Sequence, residues 1–233
     1  MPLHDKIALI TGASRGIGAS VAKAYAAAGA HVILVARTQG ALEEIDDQIK
    51  AEKGKSTLLV MNLSKLDDVD KLGPTIAERF RKLDILVGNA AMLGPLSPVT
   101  HLAPKDWQRT MTLNLDANMR LLRSCDPLLR AAPQGRAIFT TSGLAEHVMA
   151  YWGAYSTSKA ALNMLVKMYA AETATTNIKA NLVDPGIVDT AMLREAFPGG
   201  FPGETVKPEA VAKTYVELAK DNCPHHGQIV RAA

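Results

Sequence analysis

Tyr155 and Lys159 stand four residues apart in Tyr-Ser-Thr-Ser-Lys, at the start of a stretch with helical periodicity. The phenol and the ammonium therefore share one helix face, about 5 to 6 Å apart. A phenol near pKa 10 is a poor proton source at neutral pH unless its anion is stabilised, and a neighbouring cation does that. The pair suits general acid or base work on an oxygen atom. With five tyrosines and fifteen lysines in the chain, chance alone produces this spacing in roughly one sequence in three, so the pair by itself proves little.

A second group lies near the N-terminus, in Thr11-Gly12-Ala13-Ser14-Arg15-Gly16-Ile17-Gly18. This run follows an apolar strand pattern and opens a helical one. Gly12 and Gly16 permit a tight turn with close backbone approach to a ligand, and Gly18 lets the helix pack against a sheet. The helix N-terminus then presents free N–H groups to a pyrophosphate.

Both groups need a scaffold. Apolar, β-branched runs at 6–11, 31–36, 56–61, 84–88, 136–141, 178–183 and 227–230 alternate with helical patterns at about 16–28, 40–52, 65–82, 104–131, 153–174 and 208–220. Such alternation predicts an α/β fold with a Rossmann-type, doubly wound, seven-stranded parallel sheet, helices on both faces and three layers. No linker interrupts it, so residues 1–233 are expected to form one domain holding both cofactor and substrate. Ligands of such sheets lie outside the carboxyl ends of the strands, where the order of strands reverses. Residues 194–208 are irregular and crowded with Pro198, Gly199, Gly200, Pro202, Gly203 and Pro208, and are read as a substrate lid.

The Gly-x-x-x-Gly-x-Gly spacing of the first turn resembles that of the short-chain dehydrogenase/reductase family. Ser142 precedes Tyr155 by thirteen residues, the family's interval for its serine, and Asn114 in Thr-Leu-Asn-Leu-Asp resembles its asparagine. Asn89-Ala90-Ala91 is similar to its Asn-Ala-Gly segment, and Asp184-Pro185-Gly186-Ile187-Val188-Asp189-Thr190 to its Pro-Gly segment. The likeness runs from Lys6 to about Val230. It implies an oxidoreductase that moves a hydride between a nicotinamide cofactor and a carbonyl or secondary alcohol, a ketone reductase with 3-oxoacyl compounds among its candidate substrates. Tyr155 would be the acid or base, and Lys159 would lower its pKa and hold the nicotinamide ribose. Ser142 would hydrogen-bond the substrate oxygen, and Asn114 would hold a relay water. Cofactor contacts are expected from Gly12, Ser14, Arg15, Gly16, Ile17, Gly18, Asn62, Leu63, Asn89, Ala90, Ala91, Pro185, Gly186, Val188 and Thr190.

The second strand speaks to cofactor choice. An NAD enzyme commonly ends it with an acidic side chain that accepts from the ribose and repels a 2′-phosphate. Here Ala36 takes that place, Arg37 and Thr38 follow, and Arg15 projects from the glycine-rich turn. Two guanidinium groups with forked donors suit a phosphate, so NADP(H) is expected. An NAD(H)-linked alcohol dehydrogenase of the same family is the nearest alternative. A cofactor-binding regulator without turnover is another, which the complete Asn114, Ser142, Tyr155 and Lys159 set disfavours. Isomerisation of nucleotide sugars would need a larger C-terminal region.

Two features depart from the family's pattern: Ala91 replaces a glycine, and Asn62 stands where an aspartate is more common. Candidate pocket residues are Leu93, Leu144, His147, Met149, Tyr151, Trp152, Val188, Met192 and Phe197, each of which packing alone would also explain. Helices 104–131 and 153–174 resemble those through which the family dimerises, with Leu121, Leu122, Leu162, Leu165 and Met168 available. A homodimer or homotetramer is expected.

Composition excludes other classes. The net charge is +3 with scattered basic residues, so nucleic acid is not an expected partner. Apolar runs are too short for a bilayer, the N-terminus lacks the apolar segment of a secretory signal, and Cys125 and Cys223 make no disulfide framework. A cytoplasmic protein with no membrane partner and a small-molecule substrate is expected. Cys223, His225 and His226 match no usual zinc spacing and read as a turn before the last strand, with no metal.

Overall fold

The computed structural model describes residues 1–232. Its elements are β1 (Ile7–Thr11), α1 (Gly16–Ala27), β2 (His31–Ala36), α2 (Gln39–Ala51), β3 (Lys55–Val60), α3 (Leu66–Asp70), α4 (Leu72–Phe80), β4 (Ile85–Gly88), α5 (Pro104–Met111), α6 (Ala117–Ala131), β5 (Arg136–Thr140), α7 (Gly153–Glu172), β6 (Lys179–Asp184), α8 (Ala191–Ala196), α9 (Pro208–Ala219) and β7 (Ile229–Arg231). The seven strands form one sheet in the order β3-β2-β1-β4-β5-β6-β7, and every neighbouring pair is parallel. The strand order reverses between β1 and β4, which opens a crevice at their carboxyl ends.

Strand side chains alternate between two apolar cores. Ala8, Ile10, Val32, Leu34, Ile85 and Val87 pack with Tyr25 of α1, Leu42 and Ile45 of α2 and Val211 and Leu218 of α9. Leu9, Ile33, Val35, Leu86 and Phe139 pack with Ile76 of α4, Leu121 and Cys125 of α6 and Leu162 and Val166 of α7. Both faces are covered, which is why the strands read as continuous apolar runs.

Two expected helices are each divided. The 65–82 stretch breaks at Lys71, where the chain runs so close to α6 that a Cβ on Gly73 would lie 1.9 Å from the Ser124 carbonyl oxygen. The Gly73 N–H instead donates to Ser124 Oγ at 2.8 Å. The 104–131 stretch contains a π-helical turn, Thr112–Asp116, between α5 and α6. Such a turn widens the helix and re-aims a side chain, here Asn114. The 194–208 segment begins inside α8, which Thr190 caps by accepting the Leu193 N–H at 3.3 Å. It ends pinned, because the Val206 N–H donates to the Ile187 carbonyl and the Asp189 N–H to the Val206 carbonyl, both at 2.9 Å.

Of the apolar residues on the two long helices, Leu121, Leu122 and Leu162 are buried and belong to the core, and Leu165 packs partly against it. Met168 is exposed, together with Met119 and Met164. Both ring nitrogens of His226 are engaged, with Ala180 N–H at 3.2 Å and the Ala170 carbonyl at 2.8 Å. Among the described residues no helix is long and apolar enough to cross a membrane.

Candidate active site

A cavity of about 840 Å³ lies along the carboxyl ends of the strands. At one end is the β1–α1 turn. Gly12 has φ +67° and Gly16 φ +55°, left-handed conformations that favour glycine. A Cβ on Gly18 would lie 2.2 Å from the Gly12 carbonyl oxygen, so Gly18 serves the turn's packing and does not itself line the cavity. Among the described residues no side chain caps α1, whose first residues Gly16 and Ile17 face the cavity. Its first N–H groups, which lack intrahelical partners, are thus available to an anion. Ser14, Arg15, Arg37 and Thr38 line the same end, with both arginines exposed.

Asn89 braces the middle of the crevice. Its Nδ2 donates to the Thr11 carbonyl at 3.1 Å and its Oδ1 accepts from Thr140 Oγ1 at 3.1 Å, tying β1 to β5 across the end of β4. Thr11 Oγ1 accepts from the N–H groups of Asn89 and Ala90 at 2.9 and 3.1 Å. Asn89, Ala90 and Ala91 all line the cavity, as do Leu63, Pro185, Gly186, Val188 and Thr190. Asn62 does not. Its Oδ1 turns into its own loop and accepts the Ser64 N–H at 3.1 Å, while the neighbouring Met61 side chain takes the place on the wall.

At the other end stand Ser142, Tyr155 and Lys159. Lys159 is buried, and its Nζ donates to the Thr140 carbonyl at 2.7 Å and lies 5.8 Å from the centre of the Tyr155 ring. Burial lowers the ammonium's pKa to about 8. Burial also pushes the Tyr155 phenol up to about 12, against the pull of a hydrogen bond with Ser142 and with some further push from the Asp184 carboxylate. In the free protein desolvation dominates the phenol.

Asn114 is buried behind the cavity wall. Its Oδ1 accepts the Met92 N–H at 2.9 Å, and its Nδ2 donates to the Met92 carbonyl at 2.9 Å and to Ser158 Oγ at 3.0 Å. Asn118 Nδ2 donates to the Asn114 carbonyl at 2.8 Å, satisfying an acceptor at the widened turn. Both amide hydrogens of Asn114 are therefore committed to bracing the 92–94 loop against α7, which leaves the second lone pairs of its oxygen atoms as the positions open to a water.

The remaining wall is largely apolar. Leu144, His147, Met149, Trp152, Met192 and Phe197 line it, whereas Leu93 is buried outside it and Tyr151 points away, exposed and at φ +75°. Trp152 stacks edge-on against Tyr155 at 5.8 Å between ring centres, Phe197 lies 6.2 Å from Trp152, and Phe201 lies 5.1 Å from Phe197. Phe201, Ile187, Asp184 and Leu113 line the wall as well, beyond the candidates expected from the sequence. Asp184 had a readable signal, a charge at the end of an apolar strand, but its direction was not legible.

The sequence model of the short chain dehydrogenase family matches residues 6–199, most of the chain. The chain belongs to the short-chain dehydrogenase family. YciK of Escherichia coli, named an uncharacterized oxidoreductase, is 33% identical over 223 residues, covering 94% of this chain and 88% of YciK. A Pseudomonas syringae protein assigned as a short-chain dehydrogenase has the same fold, with a TM-score of 0.95, 34% identity and coverage of 100% of this chain and 96% of that one. Another so assigned, from Escherichia coli CFT073 and solved with NADPH, matches at a TM-score of 0.93 and 32% identity, covering 99% and 98% of the two chains. The short-chain dehydrogenase fold thus accounts for the sheet order, and the family membership makes the chain an NAD(P)-dependent oxidoreductase of CH–OH groups.

Proposed function

We propose that this short-chain dehydrogenase uses NADPH to reduce the carbonyl group of a small molecule to a secondary alcohol. The observation that carries the reading is one cavity with an uncapped, arginine-flanked helix N-terminus at one end and a phenol, a hydroxyl and a buried ammonium at the other. The NADPH-bound neighbour supports the cofactor, and the absence of an acid at Ala36 supports the phosphorylated form.

The residues fit that cofactor. The turn from Gly12 to Ile17 would hold the pyrophosphate, Arg15 and Arg37 the 2′-phosphate, Asn89 to Ala91 the middle of the molecule, and Lys159 the nicotinamide ribose. When bound there, the cofactor would supply a hydride for the carbonyl carbon. Ser142 donates a hydrogen bond to the carbonyl oxygen and fixes its position. Tyr155, still protonated at neutral pH, delivers its proton to that oxygen as the alkoxide forms. Burial makes the resulting phenolate costly, so the cation of Lys159 has to supply the stabilisation that lets Tyr155 give up its proton. Asn114 acts through position, holding α5 and α6 against α7. The α8 end and the 197–205 loop, with Phe197 and Phe201, act as a lid over the aromatic wall.

The test is a panel of carbonyl compounds assayed for NADPH oxidation, with NADH in parallel. Failure of every carbonyl compound to oxidise NADPH would overturn the reading. We further propose self-association through α6 and α7, where Met119, Met164 and Met168 are exposed. Light scattering at micromolar concentration is expected to give at least twice the 24.9 kDa chain mass.

A further inference from the structure

The mechanism above leaves one charged group on the cavity wall without a task. Asp184 ends β6, is 9% exposed and lines the cavity. Its Oδ1 accepts the Gly186 N–H at 3.2 Å, which accounts for one oxygen. Its Oδ2 has no hydrogen bond among the described residues, and the nearest cation, Arg231 Nε, is 3.8 Å away on a side chain that is 72% exposed. At that distance no hydrogen bond forms, which leaves the oxygen free to accept. Oδ2 is not among the sealed polar atoms without partners, so it keeps some accessible surface.

Gly143 shows where that oxygen points. A Cβ built on Gly143 would lie 3.5 Å from Asp184 Oδ2 and 3.9 Å from His147 Cδ2. The vacant side-chain position next to Ser142 is therefore a gap between a carboxylate and an imidazole. A carbonyl held by Ser142 and Tyr155 would bring its neighbouring carbon to this gap, while the aromatic wall of Trp152, Phe197 and Phe201 receives the apolar remainder.

We propose that Asp184 is a specificity-determining residue that selects carbonyl compounds bearing a hydrogen-bond donor, a hydroxyl or an ammonium, on the carbon next to the carbonyl, with an aryl or other apolar group on its far side. The proposal rests on the reductase reading. Oδ2 has no hydrogen bond, so a substrate that supplies a donor gains a charge-assisted hydrogen bond there, and one that does not must cover the oxygen while leaving it unsatisfied. Discrimination of this kind is larger than that obtained from apolar fit alone.

The experiment compares phenacyl alcohol with α-methoxyacetophenone, which have similar electronic activation of the ketone and differ in the donor. The wild-type kcat/KM with NADPH is expected to favour phenacyl alcohol by about tenfold or more. Asp184→Ala should bring the ratio near one, and Asp184→Asn, which retains an acceptor for the Gly186 N–H but no charge, should fall between. The asparagine variant reports even if the alanine variant does not fold. A third substrate, 2-(dimethylamino)acetophenone at a pH where it is protonated, separates the sources: a rank above phenacyl alcohol identifies an ammonium, a rank below it a hydroxyl. A wild-type ratio near one, or a ratio unchanged in both variants, overturns the assignment while the reductase reading stands. No NADPH oxidation with any carbonyl compound overturns both.

Discussion

At the β1–α1 end of the cavity the charged side chains, Arg15 and Arg37, are exposed and the binding surface is mostly backbone, whereas at the β5–α7 end Lys159 is buried and Tyr155 and Asp184 sit on a largely apolar wall. The first arrangement binds an anion without disturbing the fold, because hydrated guanidinium groups and free N–H groups need no compensation before the ligand arrives. The second holds its groups away from water, so burial dominates their chemistry: the phenol is pushed up to about 12 and the ammonium down to about 8. Changes at the exposed end should therefore alter affinity and cofactor choice, and changes at the buried end should alter rate, pH dependence and stability together.

The largest effect belongs to Tyr155→Phe, which removes a proton and little else from the buried end. Turnover is expected to fall about 10²- to 10⁴-fold, with NADPH affinity within about threefold of wild type. Steady-state kinetics and fluorescence titration check this; retention of more than about a tenth of the rate would end the general-acid assignment.

Arg37→Asp tests the exposed end. A side chain that pairs with a 2′-phosphate is replaced by one that repels it, so kcat/KM with NADPH should fall about 10- to 100-fold while NADH is spared. Stability should change little. An unmodified protein that used NADH at least as well as NADPH would contradict the arginine assignment.

Lys159 couples the two kinds of effect. As pH rises through about 8 the buried ammonium loses its proton, and kcat/KM for reduction should decline by up to about tenfold per unit, while Tyr155 remains protonated. Stability moves the other way. Between pH 8 and the unfolded value of 10.5 the unfolded chain binds a proton that the folded chain does not, so this group makes stability rise with pH across that window. The depression corresponds to about 3 kcal/mol, partly offset by the hydrogen bond to Thr140 that any replacement would lose. Lys159→Met should thus abolish activity yet raise the Tm at pH 7 by a few degrees. A fall in Tm would show that the ammonium is stabilised by something other than the contacts seen.

The same contrast explains what was legible in the sequence. The strands and the glycine-rich turn were readable because backbone constraints leave few residue types: Gly18, with no room for a Cβ, and Gly12 and Gly16, at positive φ, mark their own geometry. Tyr155, Lys159 and Ser142 were readable through family spacing. The π-helical turn was not, since Thr112–Asp116 has the same apolar pattern as a regular helix and only the contacts of Asn114 with Met92 and Ser158 reveal it. Nor did the pattern separate core from surface on the long helices: Leu121, Leu122 and Leu162 face inward while Met164 and Met168 face out. Substrate-wall residues such as Leu144 and Leu93 share a residue type, and only folding decides that one lines the cavity and the other is packed away.

The smallest expected effect sharpens the boundary of the exposed end. The resemblance puts Asn62 among the cofactor contacts, where an amide can donate and accept. In the structure its oxygen accepts the Ser64 N–H, a turn bond that fixes the loop after β3, and it is Met61 and Leu63 that line the cavity. Asn62→Ala should therefore remove one local hydrogen bond, costing about 1 kcal/mol of stability, with the NADPH dissociation constant within about twofold of wild type. Asn62→Asp should retain the turn, because a carboxylate accepts the same N–H, and should leave both quantities close to wild type. Calorimetry separates the loop from the ligand by comparing the two variants with and without NADPH. If Asn62→Ala instead weakened NADPH about tenfold with its Tm unchanged, the side chain must swing from Ser64 to the adenine on binding, and the cofactor end would be remodelled by its ligand.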